Sequence, residues 1–167
     1  MKTNYKENLI NIKAFIFDVD GVLTDGKLLI SETGELLRSM NVKDGFAMKY
    51  AIDKGFKIGI ISGGTNEAVK TRLSNLGIEE IHLKSHNKIV HFNDFVEKFN
   101  LKPENILVMG DDIPDIPIIR AAGIGSCPQD AVAEVKNNSD YVSQKNGGKG
   151  AVRDVIEQVM KIHEKWI

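Results

Sequence analysis

Two aspartates stand two residues apart in Asp18-Val19-Asp20-Gly21-Val22, directly after the apolar run Ala14 to Phe17. Carboxylates crowded at one strand end repel each other unless a cation lies between them or one keeps a proton. The pair therefore suits metal binding, or a nucleophile beside a group that moves protons. A polar turn would also use Asp and Gly. A calcium loop of the EF type is excluded, because Gly falls at loop position 4 and Val22 occupies a ligand position.

A second acidic cluster, Gly110-Asp111-Asp112-Ile113-Pro114-Asp115, follows the apolar run Ile106 to Met109. Asp112 reads as the cap of a helix whose first turn holds Pro114, which leaves Asp111 free to face a metal. Carboxylates from two strand ends, with water completing the shell, suit Mg²⁺ better than Zn²⁺, since the histidines at 82, 86, 91 and 163 have no ligand spacing. Ser62-Gly63-Gly64, after the run Lys57 to Ile61, offers a hydroxyl and open backbone amides to phosphate oxygens. The glycines at 59, 63 and 64 do not make a dinucleotide fingerprint. Lys88, at the start of another helical stretch, adds a point charge; alone it would be an ordinary solvated lysine. Together these groups supply a nucleophile, a proton carrier, a metal ligand and a phosphate clamp, the parts phosphoryl transfer needs.

Elements must bring these residues to one place. The apolar runs Ala14 to Phe17, Lys57 to Ile61, Ile81 to Leu83, Ile106 to Met109 and Ile124 to Gly125 read as buried parallel strands. Thr65 to Leu76 and Lys88 to Phe99 have helical spacing, with Val69, Leu73 and Leu76 on one face and Ile89, Phe92 and Val96 on the other helix's face. Alternating strand and helix predicts an α/β doubly wound parallel sheet, whose ligand crevice lies beyond the carboxyl ends of the strands. Residues 26–42 break the rhythm with two apolar runs around Glu32-Thr33-Gly34, the pattern of a small projecting β-hairpin. The glycine-rich stretch 147–154 lacks Walker spacing and reads as a turn before a last amphipathic helix, at a subunit contact.

The 167 residues carry a net charge of −1, so no general basic surface exists for nucleic acid or an anionic membrane. Cys127 is the only cysteine, and the amino terminus has neither a signal-peptide core nor a spanning run, which fits a reducing cytoplasm. Without repeats or a linker, residues 1–167 read as one domain.

The motifs DVDGV, the Ser ending a hydrophobic strand, Lys88 and GDDIPD resemble, in order and spacing over residues 14–115, those of the haloacid dehalogenase superfamily of phosphatases. The resemblance implies that Asp18 attacks phosphorus and that Asp20 protonates the departing alkoxide, then takes a proton from the hydrolytic water. It implies Mg²⁺ on Asp18, the carbonyl of Asp20 and Asp111, phosphate on Ser62, Gly63 and Lys88, and supporting roles for Asp112 and Asp115. Between Asp18 and Ser62 there is room only for the hairpin and one helix, so no large cap domain is expected, and a neighbouring subunit would close the open site.

DVDGVLTDG, NVKDGFAMK, NKI, GDDIPDIP and GGKGAVRDV are further similar, over nearly the whole chain, to the capless 3-deoxy-D-manno-octulosonate 8-phosphate phosphatases of bacterial lipopolysaccharide synthesis. That likeness implies a homotetramer and a phosphorylated sugar acid as substrate, handled by Asn41, Val42, Lys43, Asp44, Gly45, Lys49, Gly64 and Arg72. One departure stands out: the family commonly has Thr-Gly-Arg after the second strand, whereas Ser62-Gly63-Gly64-Thr65 has no arginine. Loss of a bidentate clamp would suit another sugar acid, such as a nonulosonate 9-phosphate. A phosphoaspartate receiver shares the chemistry but resembles a pattern with its acceptor Asp after the third strand, where this chain has Leu83-Lys84-Ser85. A non-catalytic scaffold would not need these side chains.

Overall fold

The computed structural model describes residues 4–167. Six parallel strands form one sheet: β1 (Ala14–Phe17), β4 (Lys57–Ile61), β5 (Glu80–His82), β6 (Ile106–Met109), β7 (Ile124–Cys127) and β8 (Tyr141–Val142). Their spatial order is β5-β4-β1-β6-β7-β8, so the chain winds outward from β1 in one direction and then returns past it to wind in the other. The crevice of such a sheet opens where the winding reverses, at the carboxyl ends of β4, β1 and β6. The register holds these ends level, with Phe17 opposite both Ile60 and Met109.

β1 is buried along its whole length because helices cover both faces, which explains a continuous apolar run in place of an alternating one. Phe15 and Phe17 point into a core shared with Met48, Ile60, Leu107, Val152 and Ile156. Ala14 and Ile16 point into the opposite core with Ile61, Phe92, Phe95, Val108 and Ile118. Each buried Phe contributes about 1.5–3 kcal/mol.

The helices α2 (Val42–Asp53) and α7 (Ala151–Ile162) cover one face; α4 (Lys88–Lys98) and α5 (Ile116–Ala121) pack together over the other. Asn41 caps α2 by accepting from Lys43 N–H at 2.8 Å, and Asn66 caps α3 (Glu67–Ser74) through Val69 N–H at 3.0 Å. Each such cap is worth about 1 kcal/mol.

Between β1 and α2 the chain makes the two-stranded antiparallel hairpin β2 (Leu29–Ile30) and β3 (Leu36–Leu37), which has no partner in the main sheet. The segment between Asp18 and Ser62 holds this hairpin and α2, and no large cap. Among the described residues no helix is long and apolar enough to cross a membrane.

Candidate active site

Asp18 is the first residue beyond β1; its N–H reaches Met109 C=O of β6 at 3.2 Å, so the sheet ladder fixes where the side chain starts. The chain then turns sharply. The amides of Val22, Leu23 and Thr24 converge on Val19 C=O, and the buried Thr24 hydroxyl oxygen accepts from Gly21 and Gly26 N–H, both at 3.2 Å. Gly21 has φ +90°, and a Cβ there would lie 2.0 Å from Asp111 Oδ2. Glycine is thus required by the backbone conformation and by the close approach of the second acidic loop.

Asp111 enters from the end of β6. With Asp18 and Asp115 it forms a cluster in which one carboxylate oxygen from each residue lies within 4.8 Å of the other two. Asp115 is almost wholly buried; its Oδ2 accepts from the N–H groups of Asp111 and Asp112 at 3.0 and 3.3 Å, which shapes the acidic loop. Lys88, the first residue of α4, is itself buried and reaches Asp18 Oδ1 at 3.0 Å and Asp115 Oδ1 at 2.5 Å. Asp112 is exposed and caps the short helix Ile113–Asp115, accepting from Ile113 N–H at 2.8 Å, the role its sequence context suggested.

Three acids facing one lysine leave an excess of negative charge. Burial, then the Asp115 charge, push the Asp18 carboxyl up to about 6 against the opposing pull of Lys88. Burial and the charges of Asp18, Asp115 and Asp112 push Asp111 up to about 8. Burial works against the charge on Lys88, but Asp18 and Asp115 more than offset it and hold its pKa above the usual lysine value. A hard dication suits this donor set: the oxygen ligands are clustered, a glycine lets the two acidic loops meet, and added positive charge would offset the repulsion that raises both carboxyls.

Ser62 follows β4, buried, its N–H donating to His82 C=O at 2.9 Å and its hydroxyl oxygen accepting from Gly64 N–H at 3.2 Å. Asp18, Asp20, Ser62, Gly63, Gly64, Lys88, Asp111, Asp112 and Asp115 all line one open cavity of about 580 Å³. The fold brings these nine expected residues to the wall of one cavity. Sequence reasoning missed Ser85 and His86, which line the same cavity from the loop after β5, and Ser85 Oγ is buried there with no hydrogen-bond partner among the described residues. It also missed Arg38 of the hairpin, which binds Asp20 through Nε at 2.6 Å. An arginine beside a run of leucines carries no periodic signal that would have found it.

The other expected substrate residues lie apart from this cavity. Asn41 caps α2 and donates to Gly148 C=O at 3.3 Å; Val42 and Lys43 are exposed on the first turn. Asp44 is buried and accepts from Arg153 N–H at 2.9 Å, with burial raising its pKa. Lys49 pairs with Asp53 on the outside of α2. Arg72 lies over Gly45, where a Cβ would come within 2.8 Å of its Nη2, and lines a separate cleft with Leu37, Arg38 and Met40. The 147–154 stretch is not a phosphate cradle: a Cβ at Gly147 would lie 1.9 Å from Gly21 C=O, so these glycines pack against the loop that carries Asp18 and Asp20.

A doubly wound sheet with Asp18 and Asp20 after its central strand, and Ser62, Lys88 and Asp111 converging on them, defines a haloacid dehalogenase-like hydrolase. The family model of that description matches residues 65–156. The chain is 36% identical over 150 residues, 90% of its length and 80% of the relative's, to 3-deoxy-D-manno-octulosonate 8-phosphate phosphatase of Escherichia coli strain K12. It superposes with a TM-score of 0.94 on the enzyme of that name from Yersinia pestis, at 29% identity, covering 97% of this chain and 88% of the other. A third similar structure, from Moraxella catarrhalis, is 30% identical with a TM-score of 0.90, covers 94% of this chain and 90% of its own, and is a complex with magnesium ion, phosphate ion and the sugar acid. The chain belongs to the 3-deoxy-D-manno-octulosonate 8-phosphate phosphatase family of haloacid dehalogenase-like hydrolases.

Proposed function

We propose that the chain is a Mg²⁺-dependent phosphomonoesterase that hydrolyses 3-deoxy-D-manno-octulosonate 8-phosphate to the free sugar acid and phosphate. The observation that carries the reading is the cluster of Asp18, Asp111 and Asp115 at the sheet's carboxyl edge, with Lys88 paired to Asp18 and Asp115 and Asp20 beside them in the same cavity. The family relationship supports the substrate.

Asp18 is positioned as the nucleophile, forming an aspartyl-phosphate as the P–O bond to the sugar breaks; Asp20 gives a proton to the departing alkoxide and later accepts one from the attacking water. Lys88 holds Asp18 by its Oδ1, while the Ser62 hydroxyl and the amide of Gly63, on the wall of the same cavity, would hold the phosphoryl oxygens. Asp18, the carbonyl of Asp20 and Asp111 would hold Mg²⁺, whose charge offsets the repulsion between an anionic nucleophile and an anionic phosphate. Asp115 fixes the backbone of Asp111 and Asp112.

In this reading residues 1–167 work as one cytoplasmic unit, and Arg72 with Asn41, Val42, Lys43 and Lys49 serve the sugar end of the substrate across a subunit boundary, while buried Asp44 and Gly45 hold the first turn of α2 in place for them. The hairpin supports assembly: Leu29 and Ile30 are 68% and 70% exposed, an apolar surface suited to a second copy in a homotetramer. Gly64 favours one second reading, a nonulosonate 9-phosphate as substrate, because the loop lacks the arginine common in the family. Phosphate release from the two sugar-acid phosphates and from an aryl phosphate, with Mg²⁺ or EDTA, decides. A strong Mg²⁺-dependent preference for the octulosonate ester is expected. Preference for the nonulosonate ester moves the substrate, and no release from any ester returns the chain to the receiver or scaffold readings.

A further inference from the structure

We propose that Asp44 is a positioning residue: from the first turn of α2 it caps α7, and so holds the 147–150 turn against the loop that carries Asp18 and Asp20. The proposal rests on the reading of Asp18 as the nucleophile. Helix α7 does not cap itself. Its N-cap position is Gly150, at φ +103°, which has no side chain to offer the open amides of the first turn. Gly147 and Gly148 before it are held to glycine by packing, since a Cβ would lie 1.9 Å from Gly21 C=O at the first and 2.7 Å from the Thr24 carbonyl carbon at the second. The acceptor comes instead from 109 residues away. Asp44, 1% exposed, takes Arg153 N–H on its Oδ1 at 2.9 Å, the third-residue amide that a capping side chain ordinarily takes. A carboxylate there also suits the positive end of the helix.

The cap is continuous with the catalytic loop. Asn41, at the head of α2, donates from Nδ2 to Gly148 C=O at 3.3 Å, and Gly148 N–H donates to Val22 C=O at 2.9 Å, two residues beyond Asp20. Asp130 fixes the start of the turn by accepting from Gly147 N–H at 2.9 Å, and Asp44 fixes its end. Stability alone does not account for Asp44. Its Oδ2 is buried with no hydrogen-bond partner among the described residues, and one helix cap is a smaller gain than the cost of burying a carboxylate with an oxygen unpaired. What the residue secures is placement. The turn meets Gly21 this closely while the first turn of α7 stays wound, and loss of the cap frees that turn to fray. Asp44 is not part of the wall of the cavity that Asp18 and Asp20 line, so it acts through the turn and not on the phosphoryl group.

The test compares Asp44→Ala and Asp44→Asn with the wild type, in Mg²⁺, on p-nitrophenyl phosphate and on 3-deoxy-D-manno-octulosonate 8-phosphate. The aryl ester has no sugar end, so it reports on the catalytic loop alone. Asp44→Ala is expected to lower kcat about tenfold or more on both esters, with KM changed less than about threefold, since small misplacements of reacting groups cost on the order of 10²-fold. Asp44→Asn keeps an oxygen for Arg153 N–H and is expected to recover most of the loss. A loss confined to KM for the sugar ester puts Asp44 at the sugar end and overturns the proposal, as does an unchanged kcat. Amide hydrogen exchange, followed by NMR on the metal-free chain, gives a readout independent of turnover. In Asp44→Ala the Gly148 amide should exchange at least about fivefold faster, while those of Val159 and Met160 in the last turns of α7 stay within about twofold of wild type. Equal acceleration along all of α7, or none at Gly148, overturns the proposal. If the wild type hydrolyses neither ester the phosphatase reading fails, and the exchange pattern still decides whether Asp44 holds the turn.

Discussion

At the scale of single residues, the site is a balance between negative charge and its few compensations. Asp18 is surrounded by two other acids and one lysine, and burial raises its pKa to about 6. Asp18→Asn keeps the shape and removes the nucleophile, so phosphate release should fall at least about 10³-fold. The same change takes a like charge out of the cluster, so the metal-free variant should melt no lower than wild type, checked by calorimetry in EDTA; a drop in melting temperature would show that Asp18 is also a structural ligand of Lys88. Gly21 sets a second limit. Gly21→Ala asks a Cβ to occupy a left-handed backbone and to sit 2.0 Å from Asp111 Oδ2, so it should cost about 1–2 kcal/mol from the backbone alone. Displacement of Asp111 should also raise the Mg²⁺ concentration needed for half-maximal activity, measured by titration of the assay.

At the scale of elements, what the sequence revealed followed from how strongly each element is specified locally. β1, β4 and β6 were legible to the residue because they are central, apolar but for Lys57 and followed by the polar groups that the crevice requires. β5 lies one residue earlier than Ile81 to Leu83, since its pairing ends at Ile61 opposite His82 and Lys84 turns away with φ +56°. β7 runs to Cys127, beyond the expected Gly125, and β8 has only two residues, too few for a period to show. α3 starts at Glu67, two residues later than the spacing suggested, because Asn66 caps it. Asp18, Ser62 and Asp111 were readable for the same reason as their strands, whereas Arg38 depends on the direction in which a hairpin folds back, which local pattern does not encode. The 147–154 turn shows the same limit. Its packing against the Gly21 backbone couples α7 to the loop bearing Asp18, so Gly147→Ala should lower turnover about tenfold or more by shifting that loop, an effect of small misplacement. Steady-state assay beside circular dichroism would separate this from loss of fold.

At the scale of the whole molecule, the acidic site makes stability depend on pH and on Mg²⁺ together. Without the ion, Asp18 and Asp111 have folded pKa values of about 6 and about 8, both raised from an ordinary carboxyl value of 3.8. A raised folded pKa means the native chain binds these protons more tightly than the unfolded chain does. Their stabilising contribution is therefore complete below the unfolded pKa and is lost as pH rises through 6 to 8. In EDTA the denaturation midpoint should fall across that window and level off above it. Mg²⁺ binds the ionised carboxylates of the native chain, so its affinity should grow over the same window and its stabilisation should follow mass action. Saturating Mg²⁺ should accordingly flatten or reverse the slope. Urea midpoints at a series of pH values, with EDTA and with Mg²⁺, check this directly. A metal-free midpoint that rises between pH 6 and 8, or curves that Mg²⁺ leaves parallel, would mean that the three carboxylates are compensated within the chain and that the ion is not what balances them.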